Sequence, residues 1–275
     1  MKLVLVGLLG HPLEHSLSPL MHNAAMKTLK IEGKYVLFDV SEDSLKKSVE
    51  GLCALGAVGF NVTIPYKRKI IDLLDEITPQ AAEIGAVNLV YKKDVGGKAV
   101  YVGDNSDAPG FIASLQSAGV DLHQRRALVL GAGGAARAVA AGLKNEGVEV
   151  IVASRRKPEE SFWNRFPWEE LRRDLVVDAD LVVNCTPCGM YPNVDDELIV
   201  NPASFPKKTC FCDIVYNPLK TRFIQVAQET GHKTVTGEGM LLFQGAISFT
   251  KWYGQEAPIG VMKQVLLSYL QGGEN

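Results

Sequence analysis

Apolar and polar positions along this chain keep changing period. "KLVLVGLL" (2–9) is an apolar run of strand length, and from about Ser18 to Leu29 the apolar positions fall at helical spacing. The exchange repeats with "KYVLFDV" (34–40), a helix over 42–55 and "AVGFNVTIP" (57–65). "AVNLVYKKDVGGKAVYVGD" (86–104) reads as a hairpin that turns at Gly96-Gly97. A helix follows from Ala108 to Gly119, and a polar break, "DLHQRR", ends the stretch.

The pattern then restarts. "ALVLGAGGAARAVAAGLKNEGVEVIVASRR" (127–156) is strand, glycine turn, helix and strand. Further strands are expected at "DLVVNCT" (180–186), "TCFCDIVY" (209–216) and "KTVTG" (233–237), with helices over about 220–230, 239–253 and 258–271. Short apolar strands alternating with amphipathic helices predict an α/β fold with mainly parallel sheets.

Composition narrows the classes. A chain of 275 residues with 47% hydrophobic and 22% charged residues and a formal charge of -2 fits a globular cytoplasmic protein. It lacks the basic excess of a nucleic-acid binder. No apolar run approaches the roughly 20 residues that span a bilayer. The first apolar run breaks at Gly7 and Gly10, so no secretory leader is expected. Five cysteines include Cys185-Thr-Pro-Cys188 and Cys210-Phe-Cys212, spacings open to a metal or redox pair. Cys210 and Cys212 alternate within an apolar strand pattern, which favours small core side chains. His11, His15 and His22 have no supporting ligand pattern, and no metal is expected.

The glycine turn carries more chemistry. Gly131-Ala132-Gly133-Gly134-Ala135-Ala136 fits G-x-G-x-x-G/A between a strand and a helix. There the first glycine makes the turn, the second lets backbone N–H groups approach a pyrophosphate, and the third small residue lets helix and strand pack closely. The next strand, "VEVIVA", ends in Ser154-Arg155-Arg156-Lys157 where an NAD site would carry an acidic residue. An arginine there can grip a 2′-phosphate, which favours NADP; the plain alternative is a solvated basic turn.

The motif sits mid-chain, so a separate domain precedes it and must present the substrate. Three polar clusters lie near strand ends there: Ser16 and Ser18; Asn61 and Thr63 with Lys67; and Asn105-Ser106-Asp107. Ligands of open α/β sheets bind outside the carboxyl ends of the strands. Hydroxyls, amides, one lysine and one aspartate suit a small polyhydroxylated acid. Each cluster also has a simpler reading. Ser18 suits a helix cap before Pro19, Asn61 and Thr63 suit turns, and Lys67 suits a surface helix start.

"GHPLEHSLSPLMHN", "NVTIPYK", "GAVN", "GDNSDAPG", "GAGGAAR", "NCTPCGM", "YNPLKT" and "GEGMLLFQGA" occur in this order along almost the whole chain. Together they resemble the successive motifs of the shikimate dehydrogenases. The resemblance implies an N-terminal α/β substrate domain over 1–106, completed by 243–275, and an NADP-binding Rossmann domain over 107–242. It implies an enzyme that interconverts 3-dehydroshikimate and shikimate with NADPH, acting on small molecules as a monomer or homodimer. A quinate/shikimate enzyme with broader substrate or cofactor use is the alternative.

By the same resemblance, Ser16 and Ser18 hold the substrate carboxylate. Thr63, Asn88, Asp107 and Gln244 bind ring hydroxyls, with Asn61 and Tyr216 nearby. Lys67 is the catalytic lysine and Asp107 its partner. Gly131 to Ala135 match the pyrophosphate loop, Ser154 to Lys157 the 2′-phosphate loop, and Ile214 and Gly237 the nicotinamide pocket. Two positions depart from the family pattern: Ser154-Arg155-Arg156 replaces the frequent Asn-Arg-Thr or Asn-Arg-Ser, and Ser106 replaces the threonine usual before the aspartate.

Overall fold

In the computed structural model, which describes residues 4–123, 125–155, 165–167 and 178–272, strand β1 (Val4–Gly10) lies between β2 (Gly33–Asp39) and β3 (Gly59–Val62) and parallel to both. β4 (Glu76–Ile77), β5 (Leu89–Val95) and β6 (Lys98–Asp104) complete a six-stranded sheet in the order β2-β1-β3-β5-β6-β4. β5 runs antiparallel to β3 and β6, while β4 runs parallel to β6. Gly96 and Gly97 join β5 to β6 with φ of 61° and 82°, the left-handed pair of a tight hairpin turn.

One face of this sheet buries Leu9, Phe60, Val62 and Val90 with Val49 and Leu52 of helix α2 (Leu45–Ala54). α1 (Ser18–Thr28) follows β1, and α3 (Pro79–Ile84) follows β4. Further along the chain come α4 (Asp107–Ser117), α5 (Gly134–Asn145), α6 (Arg222–Glu229), α7 (Glu238–Tyr253) and α8 (Ile259–Gly272). α1 packs against α8, burying Met21, Ala25 and Met26 on one side and Met262 and Leu266 on the other. Trp252 of α7 donates its indole N–H to the Val90 carbonyl at 2.9 Å. It does so across Gly59, where a Cβ would lie 2.2 Å from the indole nitrogen, so no other residue fits there.

The second sheet is parallel throughout. β7 (Arg126–Leu130), β8 (Glu149–Ser154), β9 (Arg165–Pro167), β10 (Leu181–Asn184), β11 (Cys210–Asp213) and β12 (Lys233–Val235) stand in the order β12-β11-β10-β7-β8-β9. This is the doubly wound Rossmann order, with its reversal between β7 and β10. Ala127 and Val129 face Phe111 and Leu115 of α4 and Val139 and Leu143 of α5. Leu128, Leu130 and Val182 face Phe223 and Ile224 of α6. Both faces are covered, which is why the central strands carry unbroken apolar runs, Ala127–Leu130 and Leu181–Val183. Cys210 and Cys212 bury in the first of these clusters, as core side chains.

The chain forms two compact units: residues up to Asp107 with Leu242–Gly272, and Ala108–Leu241. Among the described residues no helix is long and apolar enough to cross a membrane.

Several elements differ from the periodicity. The expected strand over 57–65 stops at Val62, because Pro65 has no N–H to offer a ladder. The expected helix over 42–55 opens as a 310 turn, Glu42–Ser44. β4, α3 and β9 leave no periodic trace, being too short. α3 still carries the signs of a helix: Thr78 accepts from Ala81 N at 3.2 Å, Pro79 starts the first turn, and Gly85 closes it at φ 67°.

Candidate active site

Strand register gathers the polar clusters of the first unit. Leu9 pairs with Val62, Asn61 with Leu89, and Leu89 with Asp104. The carboxyl ends of β1, β3 and β6 therefore meet the amino end of the reversed β5 at one end of the sheet. Asp39, closing β2, accepts from Leu13 N at 3.1 Å and lies 2.5 Å from His11 Nδ1. The His11 contact holds the Asp39 carboxyl below its ordinary range. His11 N donates to Ile64 O and Thr63 N to Leu9 O, tying the loop after β1 to the loop after β3.

Ser16 and Ser18 stand on the first of these loops. Ser18 is the first residue of α1 and does not cap it; Leu17 occupies the cap position. Ser16 Oγ accepts from Ser18 N at 3.4 Å, so the residue nearest a capping role is Ser16. Ser18 is buried and Ser16 half-buried.

Lys67 Nζ donates to Asp107 Oδ2 at 2.5 Å, with side-chain exposures of 13% and 6%. Asn88 Nδ2 donates to the other carboxylate oxygen at 2.8 Å and to Ser106 Oγ at 3.0 Å. The orientation of this amide is set by the backbone: Ser106 N–H donates to Asn88 Oδ1 at 2.6 Å. Lys67 is held from its own main chain, whose carbonyl accepts from Val87 N at 2.8 Å. Behind this pair, Asn61 Nδ2 donates to the Asn88 carbonyl at 3.1 Å and to Ser248 Oγ at 2.8 Å, while its Oδ1 accepts from Tyr35 OH at 3.0 Å. Gln244 is buried one helical turn before Ser248 on α7. Thr63 is half-buried at the end of β3.

The sequence does not single out Tyr35 or Ser248. Tyr35 looks like an ordinary strand aromatic. Ser248 has a weak signal, a hydroxyl four residues after Gln244 in the otherwise apolar "LLFQGAISF". His22, fully buried, stacks on Tyr35 with ring centroids 4.3 Å apart, and burial lowers its pKa to about 3. It is a neutral core ring.

In the second unit Gly131 takes φ 113°, closed to most side chains, and its N–H donates to Ala153 O at 2.7 Å. A Cβ there would stand 3.0 Å from the Cys185 carbonyl, so the turns after β7 and β10 close together at the point where strand order reverses. Ala132 and Gly133 follow, and α5 begins at Gly134 and Ala135 with no side-chain cap. A Cβ on Gly133 would meet nothing within 4 Å. Gly133 is exposed and no side chain caps α5, so its first N–H groups and the positive end of its dipole are a fit for a pyrophosphate. Ser154 is buried at the end of β8 and Arg155 beside it is exposed. Arg156 and Lys157 lie outside the described residues.

Asp213 closes β11 and accepts from Asn184 Nδ2 at 3.0 Å, Val215 N at 2.9 Å and Thr221 Oγ1 at 2.6 Å. Burial nonetheless raises its pKa to about 7. This aspartate anchors the segment that carries Ile214 and Tyr216. Ile214 and Gly237 meet: a Cβ on Gly237 would lie 2.4 Å from the Val215 carbonyl oxygen and 2.6 Å from the Ile214 carbonyl carbon. Tyr216, half-buried in the same segment, has its hydroxyl pKa raised by burial.

The substrate-binding domain of the shikimate dehydrogenases matches residues 8–90, and the C-terminal domain of shikimate 5'-dehydrogenase matches 237–267. A family described as NADP oxidoreductase, coenzyme F420-dependent, matches 126–209. The shikimate dehydrogenase (NADP(+)) of Moorella thermoacetica is 44% identical, over 95% of this chain and 92% of its own. That of Methanopyrus kandleri is 41% identical over 97% and 96%. A crystal structure of shikimate 5-dehydrogenase from Thermus thermophilus in complex with NADP(H) and shikimate aligns over 97% of this chain and 99% of that one, at 36% identity and a TM-score of 0.84.

Proposed function

We propose that this chain, which belongs to the shikimate dehydrogenase family, reduces 3-dehydroshikimate to shikimate with NADPH and catalyses the reverse. It is an NADP-dependent oxidoreductase acting on a CH–OH group. NADPH, when bound, supplies the hydride, and the protein supplies orientation and the proton. The observation that carries this reading is the Lys67–Asp107 pair, at 2.5 Å and almost fully buried among amides.

Lys67 gives its proton to the C3 oxygen as hydride reaches the ring carbon, and takes it back in the reverse direction. Its 13% exposure leaves it within reach of water for the return proton. Asp107 accepts from Lys67 on one oxygen and from Asn88 on the other, which aims the ammonium and leaves the carboxylate able to accept from a substrate hydroxyl. Asn88, Thr63 and Gln244 supply further partners for the ring hydroxyls, and Asn61 and Tyr216 complete the substrate-binding set. Ser16 and Ser18 bind the carboxylate.

For the cofactor, Gly131 to Ala135 form the pyrophosphate cradle. Arg155, with Arg156 and Lys157, grips the 2′-phosphate by charge-assisted hydrogen bonds. Ile214 and Gly237 form a wall of the nicotinamide site. We place the enzyme in the cytoplasm, as a monomer or homodimer.

The test is turnover of shikimate with NADP+ by the purified protein, beside quinate and NAD+. Shikimate with NADP+ is expected to be the best pair. Faster turnover of quinate would favour the broader quinate/shikimate reading, and no turnover of either acid would overturn the proposal.

A further inference from the structure

We propose that Ser248 is a positioning residue for this reaction: its hydroxyl ties the turn of α7 bearing Gln244 to the amides that hold Asp107. The inference rests on the function proposed above.

Ser248 is fully buried, and every bonding capacity of its hydroxyl is used. A serine hydroxyl has one proton and two acceptor sites. The proton goes to the Gln244 carbonyl at 2.9 Å, within the same helix. The acceptor sites take Asn61 Nδ2 at 2.8 Å and Ser106 Oγ at 3.2 Å. With Ser248's proton committed, Ser106 is the donor of the last bond, which leaves Ser106 Oγ to accept from Asn88 Nδ2. Asn88 in turn presents its second N–H to Asp107. One hydroxyl therefore fixes both the Gln244 turn and the direction in which the Ser106–Asn88–Asp107 hydrogen bonds run.

Helix stability does not account for this serine. Alanine is the better helix former, and a serine that bonds back to the carbonyl four residues earlier is neutral to slightly unfavourable in a helix. Without the hydroxyl, Asn61 and Ser106 lose an acceptor in a dry environment, where each is 4% exposed or less. Ser106 then has another acceptor, Asn88 Oδ1 at 3.3 Å, the atom already bonded by Ser106 N–H. Turning to it redirects the amide that faces Asp107. The consequences fall on the substrate side alone, because Gln244 and Asp107 are the groups displaced.

The experiment compares Ser248→Ala and Ser248→Cys with wild type in steady-state kinetics, varying shikimate and NADP+ separately, with circular dichroism confirming the fold. Cysteine leaves no cavity, its thiol being somewhat larger than the hydroxyl, and bonds weakly, so beside alanine it separates a lost volume from a lost hydrogen bond. Both variants are expected to raise the shikimate KM and lower kcat/KM for shikimate about three- to tenfold, the size of one neutral hydrogen bond, with KM for NADP+ unchanged. Combining Ser248→Ala with Ser106→Ala should lose little beyond the worse single variant, since both break the same bond. Folded variants with wild-type shikimate kinetics would overturn the inference, as would a defect in Ser248→Ala that Ser248→Cys does not share. A wild-type protein inactive on shikimate would instead overturn the proposed function, and this inference with it.

Discussion

Lys67 and Asn88 divide the carboxylate of Asp107 between them, one oxygen each, at 2.5 and 2.8 Å. The lysine comes from the loop after β3 and the asparagine from the position just before β5. Only the reversal of β5 within the sheet lets both reach the first residue of α4.

The pair gives the first prediction. Lys67→Met keeps the bulk of the side chain and removes the ammonium, so turnover should fall about 10²–10⁴-fold, the usual loss for a positioned acid–base group. KM for shikimate should change far less. Asp107→Asn should lose both turnover and affinity, because an amide has only one oxygen for two donors and the substrate. Steady-state kinetics on folded variants check this; a Lys67→Met enzyme keeping more than about a tenth of its turnover would move the proton to another group.

Ser16 and Ser18 separate binding from capping. Ser18 does not cap α1, so Ser18→Ala should raise the Michaelis constant for shikimate with little change in melting temperature. Ser16→Ala should do the same and also lower stability by up to about 1 kcal/mol, through the lost bond to Ser18 N. A Ser18→Ala protein that melts early and binds shikimate normally would reduce the residue to a structural role.

Arg155 stands exposed directly after β8, the place for a 2′-phosphate contact. A charge-assisted hydrogen bond is worth about 1.5–3 kcal/mol. Arg155→Ala should therefore weaken NADP+ about ten- to a hundredfold while leaving any use of NAD+ nearly unchanged. Equal losses with both cofactors would show that this side chain does not read the phosphate.

His22 sets a pH dependence of stability. Burial lowers its pKa from 6.5 to about 3, so as pH falls through that window the unfolded chain takes up the proton first. Its contribution to stability is complete above pH 6.5 and drains away toward pH 3. His22→Phe keeps the stacked ring on Tyr35 and removes the titration. The variant's melting temperature, relative to wild type, should rise steadily as pH is lowered from about 7 to about 4. Parallel curves for the two proteins would exclude His22 as the source.

The chain's own order of residues determined the elements and the residue types at their ends. Period-two and period-3.6 patterns mark the strands and long helices, Gly96-Gly97 specifies a turn that needs two left-handed residues, and Gly131 to Ala136 specify a strand–turn–helix. These are local properties, written in adjacent residues. Element ends are less legible: Pro65 ends a strand that its apolar neighbours would extend, and α3 is shorter than any periodic window. What only the tertiary structure decided is which distant groups share a proton. Asn88 reaches Asp107 because β5 runs backwards between β3 and β6, a matter of register that no spacing along the chain encodes. Tyr35 and Ser248 join the site because β2 and α7 bring them to Asn61, and their side chains are ordinary by type. A hydroxyl's role depends on which donors and acceptors remain once water is excluded, and that is settled by packing.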